Sequence, residues 1–118
     1  MKVQTKLRPK SEQAKRIREL NDTFRRTFQG GRVMQTSGFA ALPDPLKQNI
    51  IAAIQAFDAF DTGNDPHGEH DFCSVEVEGV TAFWKVDYYN IDERFLSDDP
   101  GDPAITKRVA TIMLASEY

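Results

Sequence analysis

The sequence predicts an α+β fold in which a small, mostly antiparallel sheet, a short strand plus a β-hairpin, packs against about three helices. Three observations predict it. Two segments carry apolar residues at helical spacing behind a capping residue, and an Asp-Pro start signal recurs near the C-terminus. Between them, β-branched and aromatic runs flank Glu78-Gly79.

In chain order, residues 1–10 are polar and basic and read as a flexible arm, leaving 11–118 as a single domain. Ser11 then offers a helix cap, and Ala14, Ile17, Leu20, Phe24 and Phe28 recur at spacings of three and four. The helix they form should stop at Gly30-Gly31. Val33 to Thr36 reads as a short strand, Ser37-Gly38 as a bend, and Phe39 to Leu42 as apolar padding. Asp44-Pro45 opens a second helix over 45–60, with Leu46, Ile50, Ile51, Ile54, Phe57 and Phe60 as its apolar stripe. Asp61 to His70 is a polar loop. Asp71 to Val77 and Val80 to Tyr89 form the hairpin. Asp102-Pro103 opens a last helix with Ile105, Val109, Ile112 and Met113 facing inward.

A chain of 118 residues is long enough for one core and too short for two. Its 40% hydrophobic and 28% charged residues place it among globular chains rather than disordered ones. No apolar stretch is long enough for a bilayer span, and the start lacks a signal peptide's apolar segment, so a soluble, cytoplasmic protein without a membrane partner is expected. The single cysteine, Cys73, fits a reducing compartment.

The net charge of -3 conceals an asymmetry. Residues 1–57 carry eleven Lys/Arg against four Asp/Glu, whereas 58–102 carry two against thirteen. An acidic segment of that density can bind cations, repel nucleic acid or meet a basic partner, and is also an ordinary solvated surface.

If Glu78-Gly79 is a two-residue turn, Val77 faces Val80, Val75 faces Ala82 and Cys73 faces Trp84 on the core side. The other face pairs Glu76 with Thr81, Ser74 with Phe83, Phe72 with Lys85 and His70 with Asp87. A one-residue slip would mix the two faces, which favours this register. A three-residue turn would instead set His70 opposite Val86. A histidine beside a carboxylate is oriented and favoured as a cation, so His70 and Asp87 are the candidate acid/base pair, or a hydrogen bond that pins the loop. Phe72, Lys85 and Tyr89, with Asp65 and Glu69 from the loop, make a candidate binding surface.

Both histidines of the chain lie in Asn64-Asp65-Pro66-His67-Gly68-Glu69-His70-Asp71-Phe72. No cofactor is expected, but His67, His70 and Asp71 could hold a divalent metal such as zinc. Asp65-Pro66-His67-Gly68 also suits a type I turn. Cys73, facing Trp84, reads as a buried small hydrophobe rather than a nucleophile. Ser74 lacks an elbow motif, and no glycine loop suited to phosphate is present. Lys15, Arg16, Arg18, Arg25 and Arg26 invite a nucleic-acid reading of the first helix, but Lys15 to Glu19, Arg18 to Asp22 and Asp22 to Arg26 are spaced for pairing along it, and no reader motif accompanies the charge, which argues against a nucleic-acid interface.

The combination Ile-Arg-Glu-Leu-Asn-Asp-Thr-Phe-Arg-Arg (17–26), Gly-Gly-Arg-Val (30–33), the 64–72 motif, Trp-Lys-Val-Asp-Tyr-Tyr (84–89) and Thr-Ile-Met-Leu-Ala (111–115) resembles a family of small bacterial proteins of unknown function. The resemblance runs from about residue 15 almost to the end. It implies a setting in chromosomes and on mobile elements and carries no catalytic residues. Cys73 stands where the family pattern has glycine. The expectation is a binding or regulatory protein that meets a protein partner, such as a mobile-element accessory or anti-defence factor. The alternative is a small metal-assisted or His-Asp acid/base enzyme.

Overall fold

The computed structural model describes residues 10–118. The arm expected at 1–10 lies outside the described residues except for Lys10, which opens the first helix. In chain order the elements are α1 (Lys10–Thr27), β1 (Arg32–Gln35), α2 (Ser37–Ala40), α3 (Asp44–Ala56), β2 (Phe72–Val77), β3 (Val80–Tyr89) and β4 (Lys107–Leu114), followed by a 3-10 turn, Ala115–Glu117.

The fold is α+β, as the sequence predicts. Its sheet has the order β1-β4-β3-β2, in which only β1 pairs in parallel, with β4. The hairpin takes the two-residue register: Phe72 faces Lys85, Cys73 faces Trp84 and Val77 faces Val80. Glu78 (φ 53°) and Gly79 (φ 81°) are both left-handed, as a type I′ turn demands, because its twist matches that of the flanking strands.

The helix expected after Asp102-Pro103 is a correction. Asp102 Oδ1 accepts the Ala104 amide at 2.9 Å, but this closes only a turn, and the chain then runs as β4. Thr106, Val109, Thr111 and Ile112 are β-branched, and β4 sits between two neighbours with residues buried on both faces. A strand buried on both faces loses its two-residue alternation, so its apolar run can be fitted to a helix as well.

α1 and α3 cover one face of the sheet. Phe24, Ile50 and Ile54 pack there with Cys73, Ala82, Trp84, Val86, Ala110 and Ile112. Trp84 is fully buried, edge-on to Phe24 (5.3 Å) and stacked on Phe28 (5.4 Å). Each such large side chain contributes about 1.5–3 kcal/mol by leaving water. α1 ends before the glycines because Phe28 itself turns left-handed (φ 60°), which carries its ring back onto Trp84. Gly31 is required for a different reason. A Cβ there would lie 2.6 Å from the Arg108 carbonyl oxygen, so β1 could not approach β4.

α3 stops at Ala56, where Phe57 becomes extended (φ -65°, ψ 130°), four residues short of the expected end. Phe57 and Phe60 therefore leave the helical stripe and meet edge-to-face at 4.8 Å beside the loop that follows. The other face of the sheet carries Phe72 and Phe83, 5.0 Å apart, with Tyr118 5.6 Å from Phe83. Tyr118 is held there because the Glu117 carboxylate accepts the Gly38 amide (2.9 Å) and the Leu114 amide (2.9 Å), tying the tail to the start of α2.

Candidate functional site

The 61–71 loop is built by its own side chains. Asp61 Oδ1 accepts the amides of Gly63 (2.8 Å) and Asn64 (2.9 Å), and the expected turn at 65–68 closes with Gly68 N donating to the Asp65 carbonyl at 3.1 Å. Asp65 Oδ1 then accepts the His70 amide at 3.2 Å, with His70 in the left-handed region (φ 55°). That backbone kink directs the imidazole toward α1 instead of along the hairpin.

His70 Nδ1 sits 2.8 Å from Asp22 Oδ1, and Nε2 is 3.5 Å from Asp65 Oδ2. Phe60 stacks on the ring at 3.7 Å, nearly parallel. The same Asp22 oxygen accepts Arg25 Nη1 at 2.9 Å; Arg25 is fully buried, donates to the Phe57 carbonyl at 3.1 Å and lies over the Phe60 ring. Burial alone would raise the Asp22 carboxyl, but hydrogen bonds from His70 and Arg25 outweigh it and hold the group below its ordinary range.

The expected His70–Asp87 pair is therefore not formed. The β2–β3 ladder ends at Phe72 and Lys85, two residues short of His70, and the Asp87 carboxylate pairs with Lys85 on its own strand. Likewise Asp22 pairs with Arg25 and His70 in place of Arg18 and Arg26, and Arg18 donates to the Gly68 carbonyl at 2.8 Å.

A second chain of hydrogen bonds starts in the core. Arg108 Nε donates to Asn21 Oδ1 (2.9 Å), and Asn21 Nδ2 donates to the Tyr88 hydroxyl (2.8 Å) and the Glu69 carbonyl (3.0 Å). Tyr88 in turn donates to Glu69 Oε1 at 3.0 Å. Asn21 is fully buried and Arg108 nearly so. Burial raises the Glu69 carboxyl against the opposing Tyr88 hydrogen bond, with Asp71 and Asp65 adding to the rise; burial also raises Tyr88 and lowers Arg108. All three charged forms have lost water that the network only partly replaces.

A family model described as Protein of unknown function (DUF3768) matches residues 35–117. The chain belongs to the DUF3768 family. No curated protein and no solved structure matches it. The DUF3768 match begins at the last residue of β1, so it includes His70, Glu69, Tyr88 and Arg108 but not their α1 partners Asn21, Asp22 and Arg25. Two of those three residues had a readable signal. Asn21 and Arg25 lie at helical spacing from Ile17 and Phe28, where a purely structural stripe would be apolar.

The remaining candidates separate. His67 is exposed on the turn, and Asp71 is half-buried with its carboxyl raised by burial. The proposed metal trio of His67, His70 and Asp71 does not converge: among the described residues no group of three His, Cys, Asp or Glu is placed to hold a metal ion. Cys73 is buried and burial pushes its thiol up to about 12, in keeping with an inert hydrophobe. Tyr89 is half-buried and bridges to Leu96. Phe72, Lys85, Asp71 and Asp87 come together with Leu96 and Tyr118 around a groove of about 390 Å³ on the helix-free side of the sheet. No helix among the described residues is long and apolar enough to cross a membrane.

Proposed function

We propose that this DUF3768 member is a binding or regulatory protein whose contact surface is the groove on the helix-free face of the sheet. Its partner is a protein that offers an apolar side chain flanked by basic ones. The observation that carries this reading is the exposure of Leu96 and Tyr118, each 73%, at the rim of a groove that also holds Phe72, the Asp71 carboxylate and the Lys85–Asp87 pair. Phe95, next to Leu96 in the chain, is 71% exposed. Large apolar side chains grouped in this way mark interaction sites more often than plain surface.

Charge supports the same choice of partner. The exposed Asp92 and Asp98 stand in the loop that carries Leu96, and residues 58–102 hold thirteen acidic residues against two basic. Such a surface steers basic partners and repels nucleic acid. The wider setting we propose is an accessory or anti-defence role on a mobile element, which rests on the sequence resemblance.

The test is calorimetry with candidate defence and replication proteins at two salt concentrations, on the native chain and on Leu96→Asp and Tyr118→Ala. Salt-weakened binding that drops at least about tenfold in both variants supports the reading. Binding that survives both substitutions, or that salt does not weaken, overturns it.

A further inference from the structure

The two edges of the sheet differ. β1 is four residues long and opens with Arg32, whose guanidinium pairs with Glu93. β2 runs for six residues without a lysine, arginine, proline or bulge, the devices that commonly keep an edge from meeting another strand. Its phase is set by Val86 N, which donates to the Asp71 carbonyl at 2.8 Å. Only alternate residues of an antiparallel pair face the neighbouring strand, so Asp71, Cys73, Val75 and Val77 bond to β3. The N–H and C=O of Phe72, Ser74 and Glu76 therefore point away from the sheet, and no hydrogen bond among the described residues uses them. Ser74 and Glu76 are exposed and Phe72 is half-buried, so the edge is open to another chain.

An antiparallel strand added here must carry free groups in the same phase and keep its apolar residues on the core side. A second copy of β2 meets both conditions about a two-fold axis at Ser74. Ser74 then faces Ser74 of the second copy, Phe72 faces Glu76, and every free group finds a partner. Cys73 lies opposite Val75 of the second copy, so the buried face stays apolar across the junction. The other registers in phase are worse. Centring on Glu76 sets two carboxylates opposite each other, and centring on Phe72 carries Ser74 and Glu76 past the end of the partner strand. With the axis at Ser74 the two Glu76 residues are about 13 Å apart along the strands, beyond a Debye length of about 10 Å.

We infer that β2 is a self-association edge: two copies of this chain pair antiparallel through residues 72–77 about a two-fold at Ser74 and form one continuous sheet. This goes beyond the groove reading and does not rest on it. The pairing also stands Glu76 of the second copy beside Phe72, which lines the groove.

Sedimentation equilibrium of the full chain between about 5 and about 500 µM should show a reversible monomer–dimer equilibrium. In the dimer the amides of Phe72, Ser74 and Glu76 should exchange slowly with solvent and become fast on dilution, while those of Cys73, Val75 and Val77 stay slow throughout. Ser74→Pro removes an N–H that only the second copy uses, and Ser74→Lys sets two cations opposite each other at the axis. Each should weaken dimerisation at least about tenfold, and Ser74→Ala should change it by less than about threefold. The lysine variant keeps the test valid if proline disturbs the strand. A chain that stays monomeric at about 500 µM, a dimer that survives both substitutions, or fast exchange at Phe72, Ser74 and Glu76 in the dimer would overturn the inference. Protection of those amides that appears only when another protein is added would assign the edge to that protein and overturn self-pairing. Leu96→Asp should leave the dimer intact, so failure of the groove reading and failure of this one are told apart.

Discussion

His70 Nδ1 and Asp22 Oδ1 are 2.8 Å apart although 48 residues separate them in the chain, and the same oxygen holds the fully buried Arg25. Asp22 therefore joins α1 to the 61–71 loop and neutralises a guanidinium that water cannot reach. Asp22→Ala is expected to cost about 3 kcal/mol, since it strands a buried charge. His70→Ala should cost less, about 1–3 kcal/mol. Urea unfolding of both single variants and the double variant checks this. Strict additivity would show that the pair is not coupled.

Two opposite shifts shape the acid limb of stability. Asp22 is lowered from its ordinary 3.8, so its contribution is complete above that value and is lost as pH falls through the lower folded one. Glu69 and Asp71 are raised from 4.5 and 3.8, so they lower stability as pH climbs from those values through their raised folded ones. Unfolding free energies measured between pH 3 and 7 should show a gentler acid loss in Asp22→Asn and a reduced decline toward neutral pH in Glu69→Gln. Unchanged slopes in both variants would contradict the assignment.

The two partners of His70 show what a single sequence reveals and what it conceals. The hairpin register was legible because parity is local: one turn and a strict alternation place Cys73 against Trp84 with no knowledge of the rest of the chain. Parity extended to His70 fails because the left-handed His70 and the Asp65 hydrogen bond end the strand first, and no alternation encodes that. Asp22 was visible only as a charge among helix charges. Its true partner is set by the packing of α1 on the loop. β4 was concealed for another reason, since burial on both faces erases the period that separates strand from helix.

Glu78 occupies a left-handed position that suits asparagine or glycine better. Glu78→Asn should raise stability by about 0.5–1 kcal/mol, with only a long 3.4 Å contact from Asn49 given up. Gly79→Ala, at φ 81°, should lower it by about 1 kcal/mol. Thermal melts of the two variants should move in opposite directions.

Cys73 is 3% exposed with its thiol pushed up to about 12, so at pH 8 almost none is thiolate. A disulfide reagent should label the native protein only at the rate of unfolding and the denatured chain at once. Rapid stoichiometric labelling under native conditions would place the side chain elsewhere.

β4 is made after every strand it joins, yet it stands between β1 and β3 at the centre of the sheet. Arg32 must wait for Val109, and Trp84 for Ile112, before either has a neighbour on that side. A nascent chain that has not yet delivered Lys107 offers two bare edges with no sheet between them, which is the state in which strands pair with the wrong chain. During synthesis this protein can form α1, α3 and the hairpin, but the event that commits them to one structure comes only when the strand at 107–114 emerges. Loss of that strand would leave an aggregating fragment rather than a smaller working protein.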